Sequence, residues 1–369
     1  MSAWKTRLAL ALVLMAPLAG CSIEKMAVDN MVPLLRKTSD DFNRTRIVAY
    51  AEKSGPGLIA LMNGLVYGSP ENVDLRLLQA ELNFSYAFAF LEVSDPAWAI
   101  EMYQRAEMAA LIALEQEDED LAAGLSTPTF NATKALAEHC DACAPDKEGK
   151  VPKVCPDADD EFDALPALFW WAMARGAEVN LRRGEPGEVA TLPQVEAVMA
   201  WVVRHDPGFF NGGPHLFFGM RYLSLPASLG GEPEKGLEHF QAVDRLTKGK
   251  NLLVKVLIAQ FYAPSLAAAP AGASIKEVLA AQQKAWDAFY GGLTEVLEAP
   301  DDLWPEQSVF NALAKSRAKA LLADPEANNV IPPEGAKNPH RAGGESGGGG
   351  WSDDAKGDDD DDDEGAWGD

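Results

Sequence analysis

Apolar residues recur along most of this chain at intervals of three and four, the period of a helix that buries one face. The pattern is clearest over 212–246. Leu216, Phe217, Met220, Leu223 and Leu225 form one stripe, Gly230 and Gly231 interrupt it, and Pro233 opens a second helix with Gly236, Phe240 and Val243 on one face. Glycine readily takes the left-handed conformation a helix end needs. Proline suits a first turn, where its missing N–H would have no partner anyway. The order small, aromatic, small-to-medium lets two helices approach and plugs the gap between them. It returns at Ala99, Tyr103 and Ala106, after the turn at Asp95 and Pro96. One hairpin of this kind cannot bury its own apolar face, so neighbours must stack on it. The predicted fold is all-α, a degenerate tetratricopeptide-like helical hairpin stack, with its two best copies far apart and the segments between them matching poorly.

Further helices are predicted over 51–67, 75–91, 130–137, 165–181, 194–205, 252–262, 275–297 and 303–323. The stretch 23–46 reads as a short lead-in helix. Two stretches depart from the period: 115–163, and the alanine- and proline-rich 263–273, which reads as a surface loop. The segment 165–181 is the most apolar, and its Trp170 and Trp171 fall on adjacent faces. Both suit a core; alternatively one is core while the other lines a cavity.

The N-terminus adds a different signal. Lys5 and Arg7 precede the apolar run 8–14, and Leu18, Ala19 and Gly20 lead into Cys21. This order has the charged, apolar and small-residue regions of an export signal, and the run is too short for a span of about 20 residues. Small residues before a cysteine resemble a bacterial lipobox, in which Cys21 becomes the lipidated first residue. Ser22, rather than aspartate, resembles the default route to the outer membrane over the inner. The expected organisation is a signal peptide over 1–20, a lipid anchor and lead-in over 21–45, an all-helical body over 46–330 with a cysteine-bearing insert at 139–163, and an acidic tail over 331–369.

Charge narrows the partners. The formal net charge is −24. Part of it sits from Ser352 onward, where the aspartate run 358–363 and its neighbours face Lys356 alone; the tail's glycine- and aspartate-rich composition predicts disorder. The rest is spread over the body and argues against nucleic acid and against attraction to anionic lipid headgroups.

Candidate chemistry is sparse. His139, Cys140, Cys143 and Cys155 could together supply four tetrahedral zinc ligands. Export favours the competing reading, a disulfide among the three cysteines with one thiol left over. No glycine-rich phosphate loop or HExxH motif is present, so no catalytic residue, metal or cofactor is assigned and an enzyme is not expected. His239 reads as a helix-surface residue and His215 as a helix cap.

Several pieces in order resemble one family. They are the lipobox at Cys21, FWWAMARG over 169–176, VVRHDPGFFNGGPHLFFG over 202–219, GGEPEKGLEHFQAV over 230–243 and NALAKSRAKALLA from Asn311. The chain resembles the T component of tetratricopeptide-associated TRAP transporters, a periplasmic lipoprotein. The cysteine insert and the acidic tail depart from that pattern. The resemblance implies a homotrimer, a cavity or channel in each protomer, and pairing with the periplasmic solute-binding protein of a transporter for small organic-acid or hydrophobic ligands. Trp170, Trp171, Phe217, Phe218 and Tyr222 are the candidate cavity or partner-surface residues. The rival expectation is an envelope scaffold lipoprotein with the same repeats and no solute role.

Overall fold

The computed structural model describes residues 2–139, 164–225 and 230–341, with side chains from Ile23 onward except that of His139. The expected pairing or metal use of Cys140, Cys143 and Cys155, the lipidation of Cys21 and the tail beyond Arg341 concern side chains or segments outside this description, whereas Asn338 within the expected tail donates to Leu322 O at 2.7 Å. The described residues are α-helical with no strand.

The helices are α1 (Ser2–Asn43), α2 (Val48–Gly68), α3 (Val73–Tyr86), α4 (Pro96–Glu117), α5 (Glu119–Leu125), α6 (Ala132–His139), α7 (Leu165–Leu181), α8 (Pro186–Val189), α9 (Leu192–His205), α10 (Phe209–Ser224), α11 (Pro233–Leu246), α12 (Leu252–Leu257), α13 (Ile275–Glu298) and α14 (Ser308–Ala323). Their starts reflect local chemistry. Asn72, Asp95, Asp118 and Asn251 each accept a hydrogen bond from a backbone N–H in the first turn of α3, α4, α5 and α12. Ser274 and Glu277 form a reciprocal capping box on α13. Each such cap satisfies a donor that the helix itself cannot, contributing about 1 kcal/mol.

Several expectations change. The lead-in at 23–46 is no short helix. It is part of α1, which runs to Asn43 because Val28, Val32 and Leu35 bury against Met62, Val66, Leu75 and Leu78 of α2 and α3. The supposedly irregular stretch after Glu115 begins with α5, which Asp118 caps through Leu121 N. The predicted loop at 263–273 starts with a 3-10 turn over Ala263–Ala267, whose Ala263 is fully buried beneath α13.

Two π-helical turns interrupt the ladder, at Ala87–Leu91 after α3 and at Ile258–Tyr262 after α12. In each, a backbone N–H bonds five residues back: Glu92 N to Ala87 O and Ala263 N to Ile258 O. Such turns insert one residue and re-aim the chain beyond them.

The α10–α11 hairpin packs as its spacing requires. Gly219 and Gly236 leave room for their neighbours: a Cβ on Gly219 would lie 2.4 Å from the Phe240 ring, and one on Gly236 would lie 2.6 Å from Leu223 Cγ. Phe240 and Val243 are fully buried. Ala99, Tyr103 and Ala106 are likewise fully buried between α3, α4 and α7.

Two main cores result. The first joins α2 to α7, α9 and the near side of α10, and the second joins α11 to α14. Phe88, in the first π turn, packs against both.

Candidate functional site

Where the two cores meet, the chain forms a partly open cavity of about 190 Å³. Its wall is mainly apolar: Phe84 and Phe88 from the α3 end, Met173 and Ala177 from α7, Leu216, Phe217 and Met220 from α10, and Leu253 and Leu257 from α12. Trp304 and Phe310 complete it from the segment entering α14. Engineered cavities of comparable size, about 150 Å³, hold benzene when their lining is apolar.

Irregular backbone builds much of this wall. Phe210 (φ 44°), Asn211 (φ 60°) and Gly212 (φ 83°) occupy the left-handed region inside the kinked start of α10. Gly212 adopts it freely, whereas Phe210 is held there at a cost. Phe210 and Asn211 both line the cavity. Local strain of this kind persists where surrounding structure enforces it and concentrates at ligand sites. Gly176 of α7 makes a close approach possible, since a Cβ there would lie 2.6 Å from Phe217.

A few polar groups interrupt the apolar lining. Glu92 comes just after the first π turn and accepts a hydrogen bond from the Tyr103 hydroxyl at 2.7 Å. Burial pushes its carboxyl up, against the pull of the Tyr103 hydrogen bond and of Arg317. Arg317 donates to Phe88 O at 2.7 Å and lies 4.9 Å from the centre of the Phe88 ring, tying α14 to the π turn. Arg221 reaches the wall while paired with Glu196, and donates to Gly230 O at 3.2 Å. Arg183 is exposed at the rim. Among the described residues no cluster of three or more metal-ligating side chains occurs, and no helix is long and apolar enough to cross a membrane.

The aromatic residues singled out from sequence divide. Phe217 lines the cavity. Trp170 and Trp171 are buried in the first core, 3% and 1% exposed. Trp170 meets Phe210 edge-on with ring centres 4.7 Å apart and Phe84 at 5.7 Å, so it supports two lining residues from behind. Phe218 and Tyr222 face α11, where both pack on His239. His239 is half-buried rather than on an open surface, and His215 meets it instead of capping a helix: their Nδ1 atoms lie 2.9 Å apart across the hairpin. Most of the lining was missed from sequence. Its one local signal is the run of aromatics at 84, 86, 88 and 90, whose spacing of two suits no single face of a regular helix.

A family model described as TRAP transporter T-component matches residues 48–327. No curated protein matches the chain.

Proposed function

Because this chain belongs to the TRAP transporter T-component family, we propose that it is an accessory protein that holds a small apolar or organic ligand beside the transporter's solute-binding protein. An accessory role in TRAP transport comes with the family itself. The observation that carries the finer reading is the cavity of about 190 Å³, walled by aromatic and aliphatic side chains and edged by a few polar groups. Pockets of this make-up bury apolar ligands and orient them by a few polar contacts. A scaffold without a solute role has no use for such a space, whose lining forgoes packing contacts.

The remaining parts of the proposal rest on sequence. Cys21 carries the lipid, and the mature chain sits at the periplasmic face of the outer membrane. The helical body is a degenerate tetratricopeptide-like stack over 46–330, assembled as a homotrimer. The acidic tail is a solvated extension.

Co-purification tests the partner. The lipoprotein, expressed in its own host and gently solubilised, should recover a periplasmic solute-binding protein in near-equal amount. Recovery of envelope-assembly proteins without a binding protein would instead establish the scaffold. Metabolic labelling with a radioactive fatty acid should mark the chain and be lost in Cys21→Ala.

A further inference from the structure

From Ile23 onward, α1 carries apolar residues on two opposite faces. On one, Val28, Val32 and Leu35 are buried against α2 and α3. That face cannot turn. A Cβ on Gly68 would lie 2.8 Å from Val28 Cγ2, so α1 and α2 touch closely there. Asp29 accepts hydrogen bonds from Ser69 Oγ at 2.6 Å and Asn72 Nδ2 at 2.7 Å, and Arg36 pairs with Asp74 at 2.5 Å.

The opposite face is open among the described residues. Ile23 and Met26 are each 60% exposed, Leu34 is 61% exposed and Met31 39%. Met26 and Leu34 stand two residues from Val28 and Val32, about 200° round the helix, so they point away from the core. Ile23 and Leu34 are separated by about three turns, roughly 17 Å, and lie one above the other. Asn30 falls on the same line, with its side-chain amide turned back to Met26 O at 2.7 Å. Beyond Leu34 the face becomes polar at Lys37 and Asp41. No other helix exposes as many large apolar side chains among the described residues.

Position decides what covers this stripe. Ile23 follows Cys21 by two residues, at most about 7 Å of chain. With a lipid on Cys21, the stripe begins at the bilayer surface. A second copy of the chain is a poor occupant. A strip about 17 Å long and about 10 Å wide offers roughly 170 Å², against about 600 Å² per partner in the smallest standard interfaces. A membrane sets no such threshold, because the anchor already holds the helix beside it and even weak burial then counts. Charge adds nothing: Glu24 and Asp29 against Lys25 leave 23–34 at −1.

We propose that α1 lies along the membrane surface, with Ile23, Met26, Met31 and Leu34 set into the boundary between headgroups and acyl chains. The inference rests on the lipid-anchor reading above and goes beyond it. A lipid alone leaves the body free to swing on its tether. A seated stripe holds it in one orientation, because the inward face of α1 is clamped to α2 and α3.

The test is site-specific photo-crosslinking. The purified lipoprotein, with benzoylphenylalanine replacing Ile23, Leu34 or Leu279, is reconstituted in phosphatidylcholine vesicles carrying radioactive phosphate. Leu279 of α13 is 59% exposed and serves as the control. All three side chains are exposed, so the replacements leave the core intact. We expect phospholipid adducts at Ile23 and at Leu34, undiminished by high salt, and none at Leu279. An adduct at Ile23 with none at Leu34 means that the helix stands off the membrane and overturns the proposal. Crosslinking of Leu34 to a second copy overturns it in favour of a seam between chains, and equal labelling at Leu279 also overturns it. Fatty-acid labelling of the same preparation separates the two readings. If Cys21 carries the label and Leu34 gives no adduct, this inference alone fails; if Cys21 carries no label, the anchor reading and this inference fail together.

Discussion

His215 and His239 face each other across the α10–α11 hairpin with their Nδ1 atoms 2.9 Å apart. At that distance one ring donates its proton and the other accepts, so the contact needs at least one neutral ring. Phe218 and Tyr222 stack beside His239 and limit its access to water.

This contact predicts acid sensitivity. Burial first, and then His215, lowers His239 from its ordinary 6.5 to about 4. Between those values the unfolded chain binds a proton that the folded chain does not, so stability is full above 6.5 and falls as pH drops towards 4. Half-exposure screens the effect to about 1–2 kcal/mol. Urea midpoints at pH 7, 5.5 and 4.5 should fall more steeply for the unaltered protein than for His239→Gln. Parallel profiles would reject the assignment.

Glu178 is the keystone of a second network. It is 1% exposed and accepts from Gln104 at 2.8 Å, Arg175 at 2.9 Å and Arg182 at 2.8 Å. Truncation removes one shared acceptor from two guanidiniums that keep Glu188 and, for Arg182, Glu185. Glu178→Ala should cost about 2–3 kcal/mol in chemical denaturation. Glu178→Gln, which keeps the shape and some acceptors, should cost distinctly less. Equal losses would mean that packing, not charge, is what matters there.

Gly219 tests the hairpin. A methyl group at this position collides with the Phe240 ring at 2.4 Å. Gly219→Ala should destabilise by about 1–3 kcal/mol despite alanine's better helix propensity. Combined with Phe240→Leu, the loss should be smaller than the two single losses added, since the pair shares one contact. Strict additivity in thermal or urea unfolding would show that the clash relaxes elsewhere.

Leu216 tests the cavity. Leu216→Trp replaces an aliphatic side chain of the cavity wall with a bulky ring. Stability should hold or rise by about 0.5–2 kcal/mol, as cavity filling commonly gives. Binding of 1-octanol should weaken by about 10-fold or more. A variant that loses stability but binds unchanged would place the ligand elsewhere.

Much of the helical scaffold can be read in the sequence because it depends on period and punctuation. The segment 165–181 coincides with α7, whose apolar run is bounded by Pro166 near its start and by Gly184 beyond its end. The glycines at 219 and 236 sit where the helices touch. The site is harder to read. His215 and His239 are 24 positions apart, and nothing local announces their contact. Phe210 adopts a positive φ that its own preferences oppose, so only tertiary packing can put it there. The π turn at Ala87–Leu91 shifts the period by one residue, which is why the aromatics after Phe84 defeat a helical-wheel reading. Trp170 and Trp171 fall on adjacent faces, which left open a core pair or one ring in a cavity wall; both are buried in the first core.

The cavity lies along the line where the two cores abut. Leu216 and Met220 of α10 lean towards one core, while Phe217 between them leans towards the other. A guest in this position touches both halves at once and works as mortar in the joint.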